Sequence, residues 1–412
     1  MNIGIVTTWF ERGAAYVSKA YLEILQKEHS VFIYARGGEE YAKGNPDWDW
    51  SNVTYAPRLN SCFIQGDRSM SRLHFAKWIT LNNISVIIFN EQNDTSIVAM
   101  LSKNGYITGA YVDYYKKETV CNFGAYAFLL CNTKRHLSVF KSHKNPIFLQ
   151  WGTNVNLFKP NIEKIDNCEK LIFFHSAGFG GINCRKGTDL LVEAFQLVKG
   201  PAKLLIHSQT PKESFGIQIA KIILEDKRIH FIEKTIKAPG LYHLGDVYVY
   251  PSRLDGIGLS VPEALSCGLP VITTDCPPMN EFVQDGENGF LVEVDKVYER
   301  SDEYYWPETI VNINDLAKKM QRYVDDRHLL EIHKYNARQS AISKFNWVNN
   351  EEYLLSSLRK YDQTVNPTIS TKHYVSFLFE DIYRVCAYFF YRSLKYMHNY
   401  LIAIKNHIHK YS

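Results

Sequence analysis

Two kinds of block alternate along this chain. Short runs of Val, Ile, Phe and Leu give way to longer stretches in which apolar residues recur every three or four positions. The first reads as a strand buried on both faces, the second as an amphipathic helix. Strands are predicted at 2–8, 31–34, 85–89, 109–112, 127–131 and 146–149, with helices between them, among them 14–27 and 68–81. The alternation restarts at 171–175, 203–207, 229–232, 247–250 and 271–274. Between the two series, WGTNVNLFKPNIEKIDNCEK is polar and aperiodic, as a linker would be. Strands and helices in this rhythm imply parallel βαβ units. The expected fold is α/β, with two Rossmann-like, doubly wound domains at 1–150 and 151–345 facing a cleft. A closing helix at 346–362 and a helical tail at 363–412 complete the chain. Ligands of such sheets bind at the carboxyl ends of the strands.

Composition narrows the class. At 412 residues with 46% hydrophobic and 22% charged positions, the chain is neither disordered nor collagen-like nor a multi-span membrane protein. Lys and Arg number 47 against 43 Asp and Glu. Residues 363–412 hold six basic and two acidic side chains, which leaves 41 of each sign in 1–362. A balanced body argues against nucleic-acid binding, which needs a basic surface. The eight cysteines form no CxxC pair, so neither a disulfide framework nor a structural zinc site is expected. MNIGIVTTWF has neither the basic start nor the long apolar core of a signal peptide, and no run reaches the length of a bilayer span. The body is expected to be cytoplasmic.

Two stretches carry candidate chemistry. In HSAGFGGINCRKGTDLLVEAF, from His175 to Phe195, a strand is expected to end at His175. Gly178, Gly180 and Gly181 then permit close backbone approach, and Arg185 and Lys186 stand just before a helix that starts near Gly187. Glycine amides, two cations and a helix N-terminus suit a diphosphate; a flexible loop with solvated cations is the bland alternative. In DVYVYPSRLDGIGLSVPEALSCGLPVITTDCPPMNEFVQDGENGFLV, a strand runs into the turn Asp255-Gly256-Ile257-Gly258 and a helix from about Ser260. Asp255 and Glu263, eight residues apart, can accept from sugar hydroxyls, while the amides of Gly256, Ile257, Gly258 and Leu259 can donate to a phosphate or sugar oxygen. The bland alternative for Glu263 is an acid favoured by a helix start.

At these residues the chain resembles the family-four, retaining glycosyltransferases of the GT-B fold. Their hallmark, P-S-x-x-E-G-x-G-x-x-x-x-E-A-x-x-x-G-x-P-V-I, reads here PSRLDGIGLSVPEALSCGLPVI, and Glu281 with DGENGFLV continues the match. RKGTDLLVEAF resembles the family's phosphate-clamping helix start, WGTNVNLFKP its interdomain linker, and RGAAYVSKAYLEIL its first glycine loop and helix. The likeness covers about residues 1–360. It implies that Arg185 and Lys186 hold a donor diphosphate, that Asp255 meets the transferred sugar and Glu263 the ribose, and that Gly13 approaches the phosphates from the first domain. Two departures stand out. Asp255 replaces the usual Glu, one methylene longer, and the G-R-L before the K-G helix is absent, with Arg185 as the substitute cation.

The resemblance also implies retention at the anomeric carbon without a metal or other cofactor. The partners implied are a nucleotide sugar and a glycan or lipid-linked acceptor in cell-surface polysaccharide synthesis, such as lipopolysaccharide or capsule. Asp113, just beyond a strand end in GAYVDYYKKE, is the candidate base; an ordinary loop Asp is the alternative. His175 and His207 read as structural. Asp47-Trp48-Asp49 mimics the metal-binding DxD of another glycosyltransferase fold but reads as a solvated loop. A nucleotide-sugar epimerase and a non-catalytic binding or scaffold subunit remain open as alternatives.

The tail is aromatic and amphipathic. At 100° per residue, its charged positions Glu380, Asp381, Arg384, Arg392, Lys395, Lys405 and Lys410 fall within about 140° of arc, opposite Phe379, Ile382, Phe389, Phe390, Leu401 and Ile408. Over 374–410 this is the pattern of a helix on an anionic membrane surface, at the cytoplasmic face. Packing on the first domain or on a second subunit is the competing expectation.

Overall fold

The computed structural model describes residues 1–36, 42–57, 70–90, 95–161, 170–179, 184–362 and 367–408, with side chains as far as Ser393. The apolar runs form two parallel sheets. The first comprises β1 (Asn2–Thr7), β2 (Ser30–Ala35), β3 (Val53–Tyr55), β4 (Val86–Asn90), β5 (Ile107–Tyr111), β6 (Phe128–Cys131) and β7 (Pro146–Phe148), in the order 3-2-1-4-5-6-7. The second comprises β8 (Leu171–Gly178), β9 (Ala202–Ser208), β10 (Ile229–Glu233), β11 (Val247–Tyr250), β12 (Val271–Thr274) and β13 (Gly289–Val292), in the order 10-9-8-11-12-13. In both, the order reverses beside the first strand of the domain, which opens a crevice at the carboxyl ends. Strands such as β4, with every residue buried, are apolar on both faces because helices cover both.

Helices α1 (Gly13–Leu25), α2 (Arg72–Leu81), α3 (Thr95–Lys103) and α4 (Lys134–Phe140) belong to the first domain. The second contributes α5 (Thr188–Leu197), α6 (Ile217–Glu225), α7 (Ser260–Ser266), α8 (Ile313–Asp325) and α9 (Arg327–Lys344). α1 and α5 start facing the cleft. Three sheet elements were not among the predicted strands: β3, β13, and an antiparallel hairpin of β14 (Val294–Tyr298) and β15 (Glu308–Val311), inserted between β13 and α8.

The chain crosses between domains twice, at adjacent points. Thr153 N donates to Phe345 O at 2.7 Å and Trp347 N to Thr153 O at 3.0 Å. Gly152 is required there, because a Cβ would lie 2.3 Å from Phe345 O. After the second crossing, α10 (Glu351–Arg359) returns to the first domain, where Trp347 donates to Ala20 O and Arg359 pairs with Glu28 at 2.7 Å. The tail forms α11 (Thr371–Ile408), which lies against α2. It packs on the first domain, but through its charged side.

Candidate active site

The cationic loop and the acidic loop meet over the end of β11. β8 runs on to Gly178, three residues beyond the end expected at His175. His175 is buried within it, bonded to Val249 O and Thr188 Oγ1, and burial lowers its pKa to about 4. Gly180 and Gly181 lie outside the described residues. Gly187 caps α5 in the left-handed region at φ 73°, and a Cβ there would stand 2.0 Å from Pro251 O. Gly187→Ala therefore combines about 1–2 kcal/mol of left-handed strain with about 1–3 kcal/mol of overpacking. A calorimetric midpoint lowered by roughly 5–15 °C is expected; an unchanged midpoint would show that the cap relaxes freely. Arg253 ties this loop to the next strand end: it grips Asp189 at 2.8 and 2.6 Å and donates to Cys184 O at 2.8 Å, while its own amide donates to Arg185 O.

Lys186 Nζ sits 2.5 Å from Asp255 Oδ2, donates to the Tyr250 hydroxyl and lies 4.9 Å from the centre of that ring. Tyr250 OH donates to the same carboxylate oxygen at 2.5 Å. Arg185 Nη1 is 3.7 Å from Asp255 and donates to Leu254 O at 2.7 Å. Burial alone would raise the Asp255 pKa, but Lys186 and Arg185 outweigh it and hold the carboxyl far below the usual range. Lys186 moves down in turn, first because it is buried, with Asp255 restoring part of its proton affinity. Asp255 is the main charge partner of both cations, with Asp113 also acting on Arg185 and Glu263 on Lys186.

Glu263 enters from the first turn of α7 and accepts from Tyr242 OH at 2.6 Å. Burial pushes its pKa up to about 7, against the pull of Tyr242 and Lys186. Gly258, at φ 82°, turns the chain into α7 and does not itself line the cleft, whereas Gly256, Ile257 and Leu259 do.

The first domain supplies the facing wall. Asp113 follows β5, and a Cβ on Gly256 would lie 1.9 Å from Asp113 Oδ1, so only glycine lets this carboxylate reach the acidic loop. Gly13 opens α1 opposite, where a Cβ would be 3.5 Å from Leu259 Cδ1. Asp113, Gly13, Arg185, Lys186 and Asp255 share one cavity of about 600 Å³. A second cavity of similar volume, lined by His207, Ile236 and Trp151, adjoins it, and Glu263 and Tyr242 border both. His207 is anchored through Nε2 to Lys234 O at 2.7 Å.

Contacts that no local pattern announced hold the two domains together. Glu281 accepts from the amides of Lys134 and Arg135 at 2.6 and 2.9 Å, across the cleft. Arg135 in return donates to the carbonyls of Asp255, Gly256 and Pro277. His136, buried and held neutral with a pKa near 3, links Tyr115 OH to Gly256 O. The β14–β15 hairpin bends back over the first domain: Tyr304 stacks on Tyr114 with ring centres 4.9 Å apart and donates to Asp113 O at 2.9 Å, and Trp306 donates to Tyr115 OH. Asp47 pairs with Lys237 at 2.5 Å and Asp49 accepts from Gly44 N at 2.6 Å, so the two DxD carboxylates face separate protein partners. Among the described residues no group of three or more His, Cys, Asp and Glu is arranged to hold a metal ion.

Two facing Rossmann-like domains with a cleft between them define the GT-B class of fold. Residues 175–303 match the family described as Glycosyl transferases group 1. A lipopolysaccharide core biosynthesis mannosyltransferase of Rhizobium meliloti is 29% identical over 168 residues, 35% of this chain and 45% of that protein. A capsular polysaccharide biosynthesis glycosyltransferase of Staphylococcus aureus is 26% identical over 164 residues, 39% of each chain. The chain thus spans under half the length of these curated relatives. In fold it is similar to a sucrose-phosphate synthase from Thermosynechococcus elongatus, with a TM-score of 0.68 at 17% identity over 87% of this chain and 98% of that one. It is also similar to Anabaena HepE in complex with UDP and glucose, with a TM-score of 0.66 at 16% identity over 87% and 100%.

Proposed function

We propose that this protein moves a glycosyl group from a nucleoside-diphosphate sugar to a glycan or lipid-linked glycan, with retention and without a metal, in cell-surface polysaccharide synthesis. The observation that carries the reading is the convergence of Arg185, Lys186, Asp255, Gly256 and Asp113 on one cavity, with Glu263 at its junction with a second. In this reading the nucleoside occupies the second cavity, with its ribose hydroxyls on Glu263. The diphosphate meets Lys186, Arg185 and the start of α5, and the sugar lies under Asp255.

The bond from C1 to the diphosphate oxygen breaks and a bond from C1 to the acceptor oxygen forms on the same face. The acceptor proton passes to the departing phosphate oxygen. Negative charge grows on that phosphate as the bond lengthens, and preorganised cations lower the barrier most where charge develops. Asp113 orients the acceptor hydroxyl from the first domain.

Donor consumption in the presence of chelator, with and without a lipid-linked glycan, tests the proposal. Consumption that requires the acceptor supports transfer. Donor converted without acceptor would indicate epimerisation or hydrolysis, and donor bound but never consumed would indicate a binding or scaffold subunit.

A further inference from the structure

Helix α11 inverts much of the usual arrangement of an amphipathic helix on a protein: its charged side meets the domain together with Phe377, 3% exposed, while its broader apolar arc does not. Asp381, 8% exposed, accepts from Ser71 Oγ at 2.6 Å, Arg72 N at 3.0 Å and Leu73 N at 3.2 Å. One carboxylate thereby satisfies orphan donors at the start of the ten-residue α2. Glu380 is held between Arg72 at 2.8 Å and Arg384 at 3.1 Å. These bonds fix the rotation of the helix about its axis. On the other side Val375, Leu378, Phe379, Ile382, Phe389 and Phe390 are exposed, the three phenylalanines by 66, 60 and 68%. At 100° per residue the six fall within about 120° of arc. An apolar stripe this long is more than a soluble surface ordinarily presents.

We infer that this face docks on an anionic lipid bilayer; the inference deepens the proposal of a lipid-linked acceptor and rests on it for its purpose, not for its geometry. The charge distribution selects the occupant. Both acids of 363–412, Glu380 and Asp381, are engaged by the first domain. Lys372 and Arg392 are exposed, and the sequence after Asp381 contains no acid while adding Lys395, Lys405 and Lys410, whose side chains lie outside the described residues. At 100° per residue Lys372 falls at one edge of the apolar arc and Arg392 about 40° beyond the other, so positive charge flanks the face. Anionic headgroups complement that charge, and phenylalanine and tyrosine rings are at home at the headgroup boundary. No helix among the described residues is long and apolar enough to cross a membrane, so α11 would lie along the surface.

The test is sedimentation of the full chain with phosphatidylcholine vesicles, with and without phosphatidylglycerol, alongside the thermal shift given by nucleotide sugar. Strong pelleting on the anionic vesicles is expected, falling at least about tenfold for Phe379→Ser/Phe389→Ser/Phe390→Ser and also for Lys372→Glu/Arg392→Glu. The nucleotide-sugar shift should be equal in all three proteins. Wild-type protein that stays in solution, or a triple-serine variant that pellets like wild type, would overturn the inference. So would a wild-type dimer that the serines dissolve without any vesicle binding, which would assign the face to a second copy. Pelleting without any nucleotide-sugar shift would sink the donor proposal and leave the membrane surface standing.

Discussion

Lys186→Ala is expected to lower the rate of sugar transfer by roughly 10²–10³, the scale for removing one preorganised donor from developing charge. The geometry makes the loss specific. Lys186 is the cation at 2.5 Å from Asp255, whereas Arg185 stands 3.7 Å away with one donor spent on Leu254 O. Arg185 therefore stands farther from the carboxylate and is partly engaged by its own loop. The substitution also strands a buried carboxylate, and breaking such a pair costs about 3–5 kcal/mol. Turnover must therefore be read beside a melting curve. Lys186→Met combined with Asp255→Asn removes both charges and should regain most of the lost stability while staying inactive. Wild-type turnover in a folded Lys186→Ala protein would take Lys186 out of the mechanism.

The second large effect is on donor affinity and its pH dependence. Glu263→Gln removes a charged acceptor for hydroxyls, a loss of about 1.5–3 kcal/mol, or roughly 10- to 150-fold in Kd. In the free protein Glu263 has a pKa near 7 because it is buried. Hydroxyl donors favour the ionised form, so binding expels its proton. Affinity should rise as pH increases through about 6 to 8 and level off above. The stability of the unliganded protein should run the other way: the folded state keeps a proton that the unfolded chain loses, so this group costs stability as pH rises from its ordinary range to about 7. Isothermal titration of donor across that window checks the first, and melting curves of the unliganded protein over the same pH range check the second. A flat wild-type profile, or a Glu263→Gln variant that keeps the wild-type slope, would remove Glu263 from the donor site.

Much of the proposed donor side was legible in the sequence because it is local. One stretch carries Arg185, Lys186 and Gly187, and another carries Asp255, Gly256 and Glu263; each loop is short and follows a strand whose alternation is plain. Tyr250 was within reach of the same reasoning, since it ends β11 beside Asp255. Arg135, His136 and Glu281 were not, because their roles exist only where two domains meet, and nothing near them in sequence records the partner. The β14–β15 hairpin was hidden for a different reason: KVYERSDEYYWPET has neither clean alternation nor a tight-turn signature. For the tail, periodicity separated the faces of α11 as far as the described side chains go, apart from Phe377, but could not tell which one turns inward. There, three donors at the start of α2 waiting for Asp381, with Phe377 buried beside them, prevailed over burial of the broader apolar arc.

The most direct measurement is a thermal-shift panel of the purified protein against UDP-, GDP-, ADP- and dTDP-sugars, each with and without chelator. A ligand at 100 times its Kd stabilises by about 2.7 kcal/mol, which such a panel resolves. A shift with one nucleotide sugar that survives chelation, and that Lys186→Met/Asp255→Asn abolishes, is the result expected of a metal-free donor cleft. No shift with any of them, or one that vanishes with chelator, would contradict it.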